Sequence, residues 1–264
     1  MWSIRRTASQ ELRWLAPTGN IKVGGGGTPS EHTPGSLTFW EKISQTTRWG
    51  RYLTRIEERA LLVATDASSR PGTALEIGCE GGRWSKLLVN QGWDVICTDT
   101  RSDMLAVCQS RLPRAKCLLV QSMDPSIPCA KGALELLLCV EVDPVSGSKW
   151  FINEASRVLK PGGILVATLL NKFSLRALIH RTLRPLTAAK RSERGYYQVS
   201  YRSVRRTLLD VGFNILHERG CCWGPFSRSS NSHFIPFFVW LEKYSGIRRL
   251  TVLSPWVVFV ARKK

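Results

Sequence analysis

Between residues 71 and 170, short apolar runs alternate with amphipathic stretches, and this alternation restricts the possible folds more than any other feature. Runs of strand length fall at about 73–78, 94–98, 116–121, 134–140 and 163–169, with helical periodicity near 83–91, 102–111 and 148–159 between them. Leu134-Glu135-Leu136-Leu137-Leu138-Cys139-Val140 is apolar at positions that point to both sides of a strand, as burial between two helical layers requires. Strands separated by helices predict βαβ units. The expected fold is therefore α/β: a doubly wound, Rossmann-like, mostly parallel sheet with helices on both faces and a C-terminal antiparallel strand.

The flanking sequence differs in kind. Residues 1–38 contain four consecutive glycines at 24–27 and prolines at 29 and 34, without apolar periodicity, and are expected to form a flexible extension whose removal leaves the fold intact. Residues 39–264 are expected to form a single domain, with 71–170 as the half that binds a cofactor and 171–264 as a basic half for substrate and lid. From Phe39 to Ala67 the apolar positions recur at helical spacing, with a break near Trp49-Gly50. After Asn171 the pattern gives a basic helix at about 173–184, a helix from Arg202 to Asp210, and strands at 214–218 and 256–261. The long connection between those strands holds the aromatic segment 234–241, which reads as a lid.

The chemistry is concentrated in Leu75-Glu76-Ile77-Gly78-Cys79-Glu80-Gly81-Gly82-Arg83, a strand running through a glycine-rich turn into a helix. Glycines there allow a tight turn and close approach of a ligand to the backbone, and a helix N-terminus offers free N–H groups. Asp99 ends the second strand, 21 residues after Gly78. A carboxylate at that point can accept hydrogen bonds from both hydroxyls of a ribose, which points to an adenosine-containing cofactor.

With Asp99 followed by Ser102-Asp103-Met104-Leu105, and with Arg157-Val158-Leu159-Lys160-Pro161-Gly162-Gly163 before the fifth strand, the chain resembles class I S-adenosylmethionine-dependent methyltransferases of the type 11 group. The resemblance covers roughly 71–170, and 195–264 more loosely. It implies that S-adenosylmethionine is the cofactor, that Glu76, Gly78, Cys79 and Gly82 surround its methionine end, and that Asp99 holds the ribose. Two positions depart from the pattern. Glu80 replaces the middle glycine of the turn, where its carboxylate could clash with the cofactor or pair with its ammonium. After the third strand, Met123 stands where an acid would meet the adenine amine, with Asp124 one place later; Asp124 serves the adenine, or it is a turn residue before Pro125.

Candidates for catalysis are Glu141, placed after the fourth strand to face the crevice, and His233 in the lid; solvated surface roles compete with both. Tyr196 and Tyr197 shape the acceptor site or pack on the following helix. Eight cysteines fall mostly in apolar segments and include no C-x-x-C pair, so no metal is expected and the thiols read as small core residues in a reducing, cytoplasmic compartment. No apolar run is long enough to cross a bilayer.

The net charge of +18 is unevenly placed. Residues 71–170 hold 10 basic and 10 acidic side chains, whereas residues 171–264 hold 18 basic and 4 acidic. An anionic partner at 171–264 competes with a merely solvated basic face. The expected function is methyl transfer to a small-molecule or lipid-like acceptor, in the cytoplasm or peripherally at a membrane surface. The alternatives are a non-catalytic protein binding polyanions or a membrane surface through a degenerate site, an RNA methyltransferase, and an NAD-dependent oxidoreductase. RNA is disfavoured because no Asn-Pro-Pro-Tyr-like motif follows the fourth strand, and Lys160-Pro161-Gly162-Gly163 disfavours the oxidoreductase.

Overall fold

The computed structural model describes residues 37–121, 124–174, 176–178 and 197–264. Its sheet contains seven strands: β1 (Thr73–Ile77), β2 (Asp94–Asp99), β3 (Lys116–Leu119), β4 (Leu134–Cys139), β5 (Leu159–Leu170), β6 (Phe213–Cys221) and β7 (Trp256–Lys263). Their order is β3-β2-β1-β4-β5-β7-β6, with β1 to β5 parallel and β7 antiparallel to both β5 and β6. The expected doubly wound sheet is present. β5 begins four residues before the expected 163, because Leu159 pairs with Leu134 ahead of an irregularity at Lys160–Gly163.

Period-two alternation divides the strands between two cores. Ala74, Leu136, Leu138, Val166 and Val258 face α2 (Arg48–Ala67), α3 (Arg83–Asn90) and α4 (Ser102–Arg111). Leu75, Leu137, Leu165, Ala167 and Phe259 face the other way, toward α6 (Phe151–Val158) and α7 (Tyr201–Asp210). The helix expected at 148–159 is α6, and the short α5 (Asp143–Ser146) precedes it. The aromatic connection holds α8 (Ile235–Tyr244) and a 3-10 turn (Ile247–Arg249). Among the described residues, no helix is long and apolar enough to cross a membrane. The basic helix expected at 173–184 lies largely outside the described residues.

The N-terminal helices join the domain differently from the expectation. α1 (Phe39–Thr46) ends three residues before the predicted break, because Thr47 is extended and its hydroxyl accepts from the Gly50 amide to start α2. Gly50 is required by the close approach, since a Cβ there would run into the Ile43 carbonyl. Thr38, assigned to the dispensable extension, is 1% exposed. It forms a capping box with Glu41, whose carboxylate also meets Arg111 of α4 at 2.8 Å. Thr38 thus packs with the described domain. Thr38→Val keeps the buried methyl and removes the cap, and is expected to cost about 1 kcal/mol in urea unfolding; an unchanged midpoint would show that α1 is held without it.

Candidate active site

The turn leaving β1 places Gly78, Glu80 and Gly82 at φ of 69°, 49° and 82°, all left-handed. The amides of Gly78 and Cys79 both donate to the Thr98 carbonyl, at 2.8 and 3.0 Å. The Glu80 amide donates to one Asp99 carboxylate oxygen at 2.9 Å, and the Arg101 amide donates to the other at 3.0 Å. Backbone alone therefore holds Asp99, and each of its oxygens keeps lone-pair capacity for a further donor. A Cβ on Gly78 would lie 2.6 Å from Val142 Cγ2, so the end of β1 must be glycine for space as well as for φ. Gly82 has another role: its Cα faces Cys108 of α4 and Leu112 just after it, so it is a packing glycine and does not line the cleft.

A cleft of about 220 Å³ opens on this turn, bounded by Trp40, Glu76, Glu80, Trp84, Asp99 and Glu141. A second cavity of about 110 Å³ lies between Val120, Ile127, Val145 and Trp150, with Asp124 at its rim. Gly78, Asp99 and Val142 border both. Asp99 thus stands at the junction of a polar chamber and an apolar slot.

Four carboxylates line the larger chamber, and each has a different environment. Glu76 is buried and accepts from the amide of Ser85 at 2.8 Å and from its hydroxyl, which pins the start of α3 to β1. Burial nevertheless raises its carboxyl to about 8. Glu80 turns away toward α1, where the Trp40 amide approaches its carboxylate at 3.5 Å; its carboxyl is also raised, chiefly by burial. A helix N-terminus favours a negative charge there. The acid that replaces the turn's middle glycine thus links the turn to the N-terminal helices.

Glu141 also has a left-handed backbone, φ 61°, and its amide donates to the Thr168 hydroxyl at 2.7 Å. Its carboxylate lies 3.7 Å from Arg228, and the same guanidinium lies 3.5 Å from Asp143. Arg228 is held between two indoles, 4.8 Å from the Trp40 ring centroid and 4.5 Å from that of Trp256. Behind Glu141, the buried Glu57 of α2 meets Arg83 at 3.3 Å. Burial first, and the neighbouring Glu141 second, push Glu57 well above the ordinary carboxylate range, while Arg83 and Arg228 oppose the shift. Asp143 is raised to about 7, again mainly by burial.

Comparison with known proteins adds the family. A methyltransferase domain model matches residues 75–167, the segment that builds both cavities' shared wall. Residues 75–167 are similar to a methyltransferase domain. S-adenosylmethionine is the cofactor that goes with such a domain. The ubiquinone biosynthesis O-methyltransferase of Mus musculus is 30% identical over 130 residues, covering 43% of this chain and 34% of that protein. The chain therefore spans about a third of the length of the curated relatives it matches. Two solved structures share the fold. The magnesium protoporphyrin IX methyltransferase of Synechocystis PCC 6803 has a TM-score of 0.57 at 14% identity, covering 87% of this chain and 90% of that one. An N-methyltransferase of Bradyrhizobium japonicum has a TM-score of 0.54 at 13% identity, covering 86% and 93%.

Within this methyltransferase domain, Glu76, Gly78, Cys79, Asp99 and Glu141 come together at the cleft as expected from sequence. Asp124 borders the smaller cavity and accepts from the Ser126 hydroxyl at 2.7 Å. Met123 and Tyr196 lie outside the described residues. His233 is exposed and borders neither cavity, because its turn precedes α8 on the solvent side. Sequence reasoning missed Trp40, Arg228 and Glu57. An acid within the apolar stripe of α2 was the one available signal for Glu57. Spacing also concealed a thiol cluster: Cys79, Cys97 and Cys108 are buried with their Sγ atoms within 4.8 Å of one another, brought from three elements.

Between its ordinary 4.5 and about 8, Glu76 keeps a proton in the folded chain that the unfolded chain has lost. Its contribution to stability is therefore complete at low pH and declines as pH rises through that window. Glu76→Gln accepts the same Ser85 hydrogen bonds without ionising. Relative to the parent it is expected to gain, between about pH 5 and pH 8, stability on the order of a few kcal/mol in urea unfolding. A difference that does not change with pH would place an ionised carboxylate in the folded chain.

Proposed function

We infer that the chain transfers the methyl group of S-adenosylmethionine to a small or lipid-like acceptor with an apolar body. The observation that carries this reading is the acidic lining of the cleft. Glu76, Glu80, Asp99 and Glu141 line it, while its two guanidinium groups are already paired, Arg83 with Glu57 and Arg101 with Asp103. A ligand bearing a sulfonium and an ammonium suits such a wall, whereas a pyrophosphate would face carboxylates with no free cation opposite it. This favours S-adenosylmethionine over a nicotinamide dinucleotide, although both use the strand, turn and acid.

In this reading Asp99 would accept from the ribose hydroxyls and the apolar slot would take the adenine, with Asp124 at its rim. Glu76 and Glu80 would border the methionine end. The cofactor supplies an electrophilic methyl on a leaving group that departs neutral, so the residues around it have mainly to position the acceptor and exclude water. Trp40, Trp84, Met104 and Val140 give the chamber apolar walls, which supports an apolar acceptor. Glu141, fixed by Thr168 and Arg228, is the carboxylate placed to orient an acceptor N–H or O–H. An RNA acceptor is disfavoured by the same acidic wall.

Calorimetric titration with S-adenosylhomocysteine, with NAD in parallel, tests the reading. Only the former is expected to bind, and Asp99→Ala is expected to weaken it by about 1–3 kcal/mol through lost charge-assisted hydrogen bonds. Binding of neither ligand would favour the non-catalytic alternative, and binding of NAD alone would overturn the methyl-transfer reading.

A further inference from the structure

A cavity larger than the methyl-transfer cleft lies away from it. A groove of about 760 Å³ runs between α2 and α8, and α2 is the wall that separates it from the cofactor side. Leu53 and Thr54 of α2 face the pocket beside Glu141, while Arg48, Arg51, Arg55 and Arg59 face the groove. Spacings of three, four and four residues set those arginines one above another on a single helical face. Arg219 from β6, Lys243 from α8 and Arg248 from the 3-10 turn complete the set.

Like charges on successive turns of one helix repel. Among the described residues, no carboxylate lines the groove and none pairs with Arg48, Arg51, Arg55, Arg59 or Arg219. The Arg48 guanidinium donates to the Asn231 carbonyl and that of Arg51 to the Gln45 carbonyl. The acid underneath, Glu242, is buried and occupied by the Tyr52 hydroxyl, the Trp223 amide and Arg248. Arg219 is half-buried, and desolvation with nearby Arg248 lowers its affinity for its proton. Seven cations thus converge on a space whose complement is an anion.

The groove's other wall is apolar and continues into solvent. α8 exposes Phe237, Trp240, Leu241 and Tyr244, spaced as one helical face, and Leu250 and Leu253 continue the exposed apolar surface beyond it. Phe237 stacks on Trp240, and Trp240 packs on Tyr244, so the aromatic ridge is preorganised. A cationic groove beside an aromatic and aliphatic ridge is the chemistry of a helix that lies in a lipid headgroup layer. Nucleic acid would use the cations and the rings but has no use for the exposed leucines.

We propose that α2 and α8 dock this protein on an anionic phospholipid bilayer, with lipid phosphates in the arginine groove and the ridge from Phe237 to Tyr244 in the acyl boundary. The site draws four of its seven cations from α2 and the other three from the basic residues 171–264. It stands independently of the methyl-transfer reading.

Vesicle flotation of the full chain tests it, using phosphatidylcholine alone and phosphatidylcholine mixed with phosphatidylserine. Binding is expected only to the mixed vesicles and is expected to weaken with salt. Combined Arg51→Gln, Arg55→Gln and Arg59→Gln should reduce it on the order of a hundredfold, and Trp240→Ser with Tyr244→Ser should abolish stable association. Affinity for S-adenosylhomocysteine, read in parallel on every variant, should not move, which separates loss of docking from loss of fold. Equal binding to pure phosphatidylcholine, or survival of binding in the arginine variant, would overturn the proposal. So would displacement from mixed vesicles by glycerophosphoserine, which would make the groove a pocket for soluble phosphates. Tighter binding to a single-stranded RNA homopolymer that the aromatic variant leaves intact would also overturn it.

Discussion

Because β1 is hydrogen-bonded in parallel to β2 on one edge and to β4 on the other, the segments leaving β1 and β4 diverge to opposite faces and leave a crevice at their carboxyl ends. Much of the cleft is placed by this divergence. Gly78 and the left-handed turn follow β1, Val140 to Val142 follow β4, and β2 delivers Asp99 alongside. Hydrogen bonds from the turn's amides to Thr98 and Asp99 then convert an opening in the sheet into a fixed polar surface.

The cost of that surface lies in burying acids. Glu57, Glu76 and Asp143 are all buried, and burial is the first cause that raises each carboxyl. Arg83 and Arg228 offset part of this, and Arg228 is itself gripped by Trp40 and Trp256. Breaking such a pair from either side leaves a charge stranded in a low-dielectric environment, a larger penalty than the pair's own net contribution. The N-terminal helices, through Trp40 and Glu57, therefore belong to the electrostatics of the cleft as much as to its walls.

Much of this was legible in the sequence. Strand runs such as 134–140 and the spacing from Gly78 to Asp99 reflect local rules, period two and a short turn, which a single chain displays directly. Glu141 and Asp124 were legible for the same reason, since each follows a strand end. What stayed hidden depends on long-range closure. Thr38 looked like part of a tail because a single capping residue carries no periodicity, yet its box with Glu41 reaches Arg111 on α4. Arg228 sits in a connection of ordinary composition and acquires its neighbours only when β7 folds back beside β5. The charge count pointed to the C-terminal half, although a stripe of arginines along α2 needs only helical projection to be seen; summing over segments erased it.

Glu80 and Glu141 share a feature that binds shape to chemistry. Both are non-glycine residues held in the left-handed region, where an L side chain costs roughly 1–2 kcal/mol that glycine would avoid. Both also border the cleft. Glycine at either position would relax the backbone and delete a carboxylate in the same stroke. At these two places rigidity and charge cannot be adjusted separately, so any redesign for thermal robustness that follows the backbone's own preference would strip the cleft of half its acids.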